Sequence, residues 1–298
     1  MKKLLAIALV GMLVLTGCGK GKETPETPET PGTETSSVKV GTGIVSGIKV
    51  AEVTDKPGKF ETNVTFVVVT LKDDKIESVS IDTAQNDVKI AEDGTTSFTA
   101  KDTKKGRGDA DYGMNWGEQI ADLEEYLVGK TVAEIELATA ESDLNSTVSI
   151  SIEVYITAVK DAVANAVEVE NVAKVASVAT VNNASEAEKL ELDTTIATVA
   201  LDADGKIVYA FVDEAQLKGT LEGNVATADE MTKTKGQRGD ADYGMNWSEQ
   251  VKALTDFVIG KTADEVSSIK EGADVASTVS IYIGGFVSTL EAAVAAAK

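Results

Sequence analysis

The sequence predicts an α+β fold made twice: two tandem copies of a small antiparallel-sheet domain with flanking helices, after a signal peptide and a disordered tether. Three observations carry this. Arg107–Trp116 reads RGDADYGMNW, and Arg238–Trp247 repeats the same ten residues at a shift of 131. The register then holds to the C-terminus: Glu118-Gln119 matches Glu249-Gln250, Gly129-Lys130-Thr131 matches Gly260-Lys261-Thr262, and Asp143–Ile150 (DLNSTVSI) matches Asp274–Ile281 (DVASTVSI). Within each copy, strand-like alternation gives way to helical spacing. The copies are placed at 39–168 and 169–298.

Each element has a local reason. Asn63–Leu71 and Ile76–Asp82 are rich in β-branched residues and flank a Lys-Asp-Asp-Lys turn, which predicts a hairpin. In the second copy the turn is Asp202-Ala203-Asp204-Gly205, where glycine supplies positive φ. Ile120, Leu123 and Leu127 recur at helical spacing, and Gly129 follows as a stop. Thr131-Val132-Ala133-Glu134 and Thr262-Ala263-Asp264-Glu265 read as capping boxes of a short helix. In Ser146–Ile152, Val148, Ile150 and Ile152 alternate with Thr147, Ser149 and Ser151, which predicts a strand with one apolar and one hydroxyl face; Val279, Ile281 and Ile283 repeat the pattern. Tyr155, Val159, Ala162, Val163 and Ala166 then form a helical stripe, mirrored by Phe286, Leu290, Ala293, Val294 and Ala297.

The N-terminus reads as an export signal. Lys2 and Lys3 precede the apolar run Leu4–Leu15, too short for a permanent membrane span and of the length of a signal-peptide core. Leu15-Thr16-Gly17-Cys18 has the form of a lipobox, so 1–17 is assigned as a lipoprotein signal peptide and Cys18, the only cysteine, as the lipidated residue. Residues 18–38 are assigned as lipidated cysteine and tether. Their Thr/Pro/Glu repeats hold Pro25, Pro28 and Pro31 and almost nothing apolar to bury. Extended, such a tether reaches roughly 60 Å at ~3.1 Å per residue. The expected location is the cell surface, anchored to the outer face of a bacterial cytoplasmic membrane.

Charge and composition exclude several functions. The chain carries 28 basic and 49 acidic residues, net −21, and loss of Lys2 and Lys3 takes this to about −23. Such a surface disfavours nucleic acid and anionic lipid. With no histidine and one cysteine, haem attachment, iron–sulfur clusters, most zinc sites and histidine-based triads are excluded. Redox chemistry would therefore need an organic cofactor or a carboxylate-bound metal. No metal site is assigned, since the EF-hand pattern is missing around Asp109 and Asp111. The Gly-Lys-Thr triplets are not a phosphate loop: Glu124 and Thr255 stand where its first glycine is required, and the triplets follow a helix instead of opening one. Arg107-Gly108-Asp109 spells an adhesion tripeptide but lies within a longer repeated block.

That block ends Tyr112-Gly113-Met114-Asn115-Trp116, repeated as Tyr243–Trp247, and holds the chain's only two tryptophans. The indole closes a core or offers a platform for a flat ligand; both readings stay open.

Asp143-x-x-Ser146-x-x-Ser149 and Asp274-x-x-Ser277-x-x-Ser280 resemble the Asp-x-x-Ser-Gly-Ala-Thr acceptor motif of covalent FMN-binding domains. The lipobox, Thr/Pro-rich tether and paired domains with a Tyr-Gly-Met-x-Trp block resemble the pheromone-precursor flavinylated lipoproteins of Gram-positive bacteria (PplA-like). The resemblance covers essentially the whole mature chain. It departs at Thr147-Val148 and Thr278-Val279, where the family has Gly-Ala, and at Ser149 and Ser280, where it has threonine.

The resemblance implies an electron carrier in extracellular electron transfer, not an enzyme. An extracytoplasmic flavin transferase would link FMN by phosphoester to Ser149 and Ser280, with Thr147 and Thr278 as fallback acceptors. Asp143, Asp274, Ser146 and Ser277 complete the motif, and Tyr112, Met114, Trp116, Tyr243, Met245 and Trp247 are stacking candidates. A membrane quinone-linked donor would deliver electrons, and ferric iron or soluble flavin would accept them. The signal-peptide tail around Gly11–Gly17 is a candidate pheromone. Gly117 stands against Ser248 and the upstream halves diverge, so the two flavin environments need not match. The alternative class is a non-redox surface lipoprotein for solute capture or adhesion.

Overall fold

The computed structural model describes residues 37–112, 116–136, 148–243, 246–269, 275 and 279–297, with backbone alone for 109–112, 136 and 240–243. The signal peptide, Cys18 and nearly all of the tether lie outside the described residues.

In the first repeat, β1 (Ser37–Ala51), β2 (Gly58–Lys72), β3 (Lys75–Ile90) and β4 (Thr96–Phe98) precede α1 (Lys104–Tyr112), α2 (Trp116–Leu127), α3 (Val132–Glu136) and α4 (Glu153–Ala164). The strand β5 (Val167–Glu170) follows and pairs antiparallel with β1, closing a five-stranded sheet of order β4-β3-β2-β1-β5. The second repeat has β6 (Lys174–Asn183), β7 (Lys189–Leu201), β8 (Ile207–Glu222) and β9 (Val225–Ala228), a four-stranded sheet in that order. Its helices are α5 (Lys235–Tyr243), α6 (Trp247–Val258), α7 (Ala263–Ser267) and α8 (Gly284–Ala296). The architecture is α+β with antiparallel sheets throughout.

The predicted hairpins form. Asp73 and Asp74 take positive φ (51° and 59°) in the β2–β3 turn, and Gly205 takes φ 78° in the β7–β8 turn. Each hairpin has a register shift just before its turn, at Thr70/Leu71 and at Ala200/Leu201. Both Thr–Glu boxes are present: Glu134 accepts from the backbone N and Oγ1 of Thr131 at 2.8 and 2.9 Å, and Glu265 does the same for Thr262.

The central strands are buried on both faces. Val67, Val69 and Leu71 of β2 join Trp116, Ile120, Leu123, Leu127, Val159 and Ala162 in a core beneath the first repeat's helices. Val64 and Phe66, from the opposite face, pack with Ile196, Ala215 and Leu217 of the second repeat. Phe60, Val88 and Ile90 likewise meet Leu190, Leu192 and Leu221. Ala197, Val199 and Leu201 of β7 turn towards the second repeat's helices. The layers are thus helices, sheet, sheet, helices. The repeats share a sheet-on-sheet core, and residues 35–298 form one compact unit.

One predicted element is corrected. The part of Ser146–Ile152 that is described, 148–152, is not a strand, nor is 279–283. The burial alternates as expected: Val148 and Val279 are buried while Ser149 and Ser280 are exposed. The backbone N–H groups of Ser149, Ile150, Ser280 and Ile281, however, bond to a glutamine side chain and not to a neighbouring strand. An apolar–polar alternation fits any segment lying along a core edge, and only a ladder partner makes it a strand.

Candidate functional site

The site begins with α2. Trp116, Ile120, Leu123 and Leu127 form its buried stripe. Gln119, one turn after Trp116, lies at the rim, and its Oε1 accepts from Ser149 N (2.7 Å), Ser149 Oγ (3.1 Å) and Ile150 N (3.0 Å). In the second repeat Gln250 Oε1 accepts from Ser280 N (2.6 Å), Ser280 Oγ (3.1 Å) and Ile281 N (3.1 Å). A single carbonyl oxygen thereby pins the serine loop in each copy and leaves the serine side chain at the surface. Helix α4 starts at Glu153 and α8 at Gly284, so each serine sits just ahead of a helix.

Both tryptophans pack inward. Trp116 is 1% exposed; its Nε1–H donates to Tyr155 Oη at 3.0 Å, and the rings meet edge to face at 6.3 Å. Trp247 is 3% exposed and meets Phe286 edge to face at 6.2 Å. Each indole also borders a cleft beside its serine loop. The first cleft, about 400 Å³, is lined by Lys49, Asn63, Thr65, Thr83, Lys104, Trp116, Ile150 and Tyr155 among others. The second, about 720 Å³, is lined by Asp193, Thr195, Glu214, Lys235, Trp247, Ile281, Tyr282 and Phe286 among others. Most of these residues correspond one to one through the repeat, so the fold builds the same cleft twice. Both volumes lie within the roughly 300–1,000 Å³ of small-ligand sites.

A lysine enters each cleft. Lys104 Nζ stands 5.4 Å from the Trp116 ring centroid. Lys235 forms a nearly buried ion pair with Glu214 at 2.5 Å. Burial first, then the neighbouring Glu214 and Glu191, push the Asp193 carboxyl up to about 6. Asp213, the residue before Glu214 on β8, is buried and accepts from Thr234 Oγ1 and from the backbone N of Gly236 and Glu214. Burial raises its pKa and these bonds oppose the rise.

The structure brings Ser149 and Trp116 to one end of the first repeat, and Ser280 and Trp247 to the same end of the second. Asp143, Ser146, Thr147, Asp274, Ser277, Thr278, Met114 and Met245 lie outside the described residues, as do the side chains of Tyr112 and Tyr243. The Arg-Gly-Asp tripeptides mark a backbone kink: Gly108 (φ 66°) and Gly239 (φ 67°) break the helical geometry inside α1 and α5. Positive φ there favours glycine.

Sequence reasoning missed Gln119 and Gln250. Their signal was in the repeated Glu-Gln pair, matched without being given a role. It also missed Lys104 and Lys235, signalled by the Thr-Lys pairs at Thr103-Lys104 and Thr234-Lys235.

Compared with family models, with curated proteins and with solved structures, the chain matches none.

Proposed function

We propose that the protein is a surface electron carrier holding one covalent FMN in each repeat, on Ser149 and Ser280. The observation that carries this reading is the duplicated arrangement itself: an exposed serine pinned by a glutamine, beside a cleft of ligand size, in both copies. An ordinary structural serine has no need of a matching cleft at its twin. In attachment, the serine Oγ would attack the flavin-side phosphorus of an activated flavin dinucleotide held by the transferase: the Oγ–P bond forms as the pyrophosphate P–O bond breaks, the serine proton leaves with the released nucleotide monophosphate, and the protein gains FMN less one water.

The residues present fit the group. The hydroxyls are accessible to a modifying enzyme, the clefts adjoin them, and a lysine lines each cleft, Lys104 beside the Trp116 ring and Lys235 paired with Glu214. Bound FMN supplies the redox chemistry; the chain supplies attachment, orientation and charge. The protein is then a substrate of an extracytoplasmic flavin transferase and not a catalyst. A quinone-linked membrane donor reduces it, ferric iron or soluble flavin oxidises it, and Cys18 anchors it by lipid. Covalent attachment suits the outside of a cell, where dissociated FMN would be lost.

The test is to co-express the chain with an active flavin transferase and denature the product. A yellow chromophore that stays with the denatured chain, and vanishes in the Ser149→Ala/Ser280→Ala double variant, supports the reading. A colourless protein that binds a solute saturably replaces it with the capture reading.

A further inference from the structure

The two clefts share a scaffold but not a charge. Thr65 and Thr195, Lys104 and Lys235, Trp116 and Trp247, and Ile150 and Ile281 correspond and are identical. Among the positions that differ, two gain a carboxylate in the second cleft. Asn63 on β2 is replaced by Asp193 on β7, and Thr83 on β3 by Glu214 on β8. Among the described residues, the lining of the first cleft holds Lys49 and Lys104 and no carboxylate, whereas that of the second holds Asp193, Glu214 and Lys235. The carboxylates are not neutralised one for one. Lys235 pairs with Glu214 at 2.5 Å, while Asp193 has a buried Oδ1 with no hydrogen-bond partner.

We propose that the repeats are an electrostatically graded pair: the first is the higher-potential flavin site and the second the lower, so electrons entering at the second repeat come to rest on the first. This rests on the carrier reading above. A flavin that takes up two electrons and one proton gains one negative charge. Cations near it favour that gain and carboxylates oppose it, most strongly where little water intervenes. The buried Lys104, and more weakly the exposed Lys49, therefore draw electrons towards the first repeat, and Asp193 and Glu214 push them from the second. In the transfer itself, the second repeat's reduced flavin is the reductant and the first repeat's oxidised flavin the oxidant, so no further reagent is needed. Burial, then the neighbouring Glu214 and Glu191, raise the Asp193 pKa, the direction expected where carboxylates crowd one cleft.

The experiment is spectroelectrochemistry on full-length flavinylated protein, with Ser280→Ala isolating the first flavin and Ser149→Ala the second. The expected result is a first-repeat potential higher by at least a tenfold bias in the exchange equilibrium, about 30 mV for a two-electron couple. Adding Asp193→Asn and Glu214→Thr raises the second potential towards the first. The reciprocal Asn63→Asp and Thr83→Glu, which leaves Lys235 paired, lowers the first. Equal potentials with both flavins attached, or potentials that ignore both exchanges, overturn the grading and leave the carrier reading standing. Absence of covalent flavin in the presence of active transferase overturns both.

Discussion

Helix α4 and helix α8 occupy the same place in the two repeats but rest on their strands differently. In the first, Gly41 and Gly43 of β1 let the helix backbone lie against the strand; a Cβ at either position would overlap the carbonyl oxygen of Ala162 or Ala158. In the second, Ala176 and Val178 of β6 pack against the same helical layer through their side chains. Thr180 and Thr289 add a hydroxyl pair at 2.6 Å. The shared features, the pinned serine and the buried tryptophan, survive this change of spacing. Strand-to-helix packing can thus drift between copies while the serine loop is held, which is the expected signature if the loop and not the packing serves the function.

Exchanging residues between the copies breaks the comparison most directly. Gly43→Val should be the largest effect, destabilising by about 3 kcal/mol or more through overpacking, whereas Val178→Ala in the second repeat should cost only about 1 kcal/mol. Urea unfolding of the two variants measures the contrast. Gln119→Ala removes one acceptor from three donors and should cost about 2 kcal/mol. It should also lower flavin incorporation at the first repeat while leaving the second unchanged, and Gln250→Ala should do the reverse.

The next prediction depends on pH. A carboxyl raised to about 6, as Asp193 is, keeps its proton in the folded state longer than in the unfolded chain. Its contribution is therefore intact below about pH 4 and is lost as pH rises through 6. Asp193→Asn, which installs the first repeat's Asn63 chemistry, should stabilise the protein at pH 7–8 by about 1–2 kcal/mol after allowance for solvent screening. The gain should disappear near pH 4, as thermal melts across that range would show. The smallest effect should come from Tyr155→Phe, which gives Trp116 the phenyl neighbour that Trp247 already has. Loss of the acceptor for Trp116 Nε1–H should cost about 1 kcal/mol.

Much of the fold was legible locally. Asp73-Asp74 and Gly205 announced hairpin turns, and Ile120, Leu123 and Leu127 announced α2 with Gly129 behind it. The sheet-on-sheet core was not read, although Phe66–Val69 carried the clue. An unbroken apolar run in a strand means burial on both faces, and the second face needed a partner that only the other repeat supplies. The hydroxyl segment around Ser149 was misread as a strand because alternation reports burial and says nothing of who takes the backbone N–H. Gln119 stayed hidden for a related reason. A polar residue at the edge of a helical stripe gives no hint of which loop returns to it 30 residues later.

The most direct test of the central claim is the intact mass of the protein expressed with and without an active flavin transferase, followed by peptide mapping. Two increments of FMN less water, one on the peptide holding Ser149 and one on that holding Ser280, are the predicted result. No increment in the presence of the transferase would contradict the account.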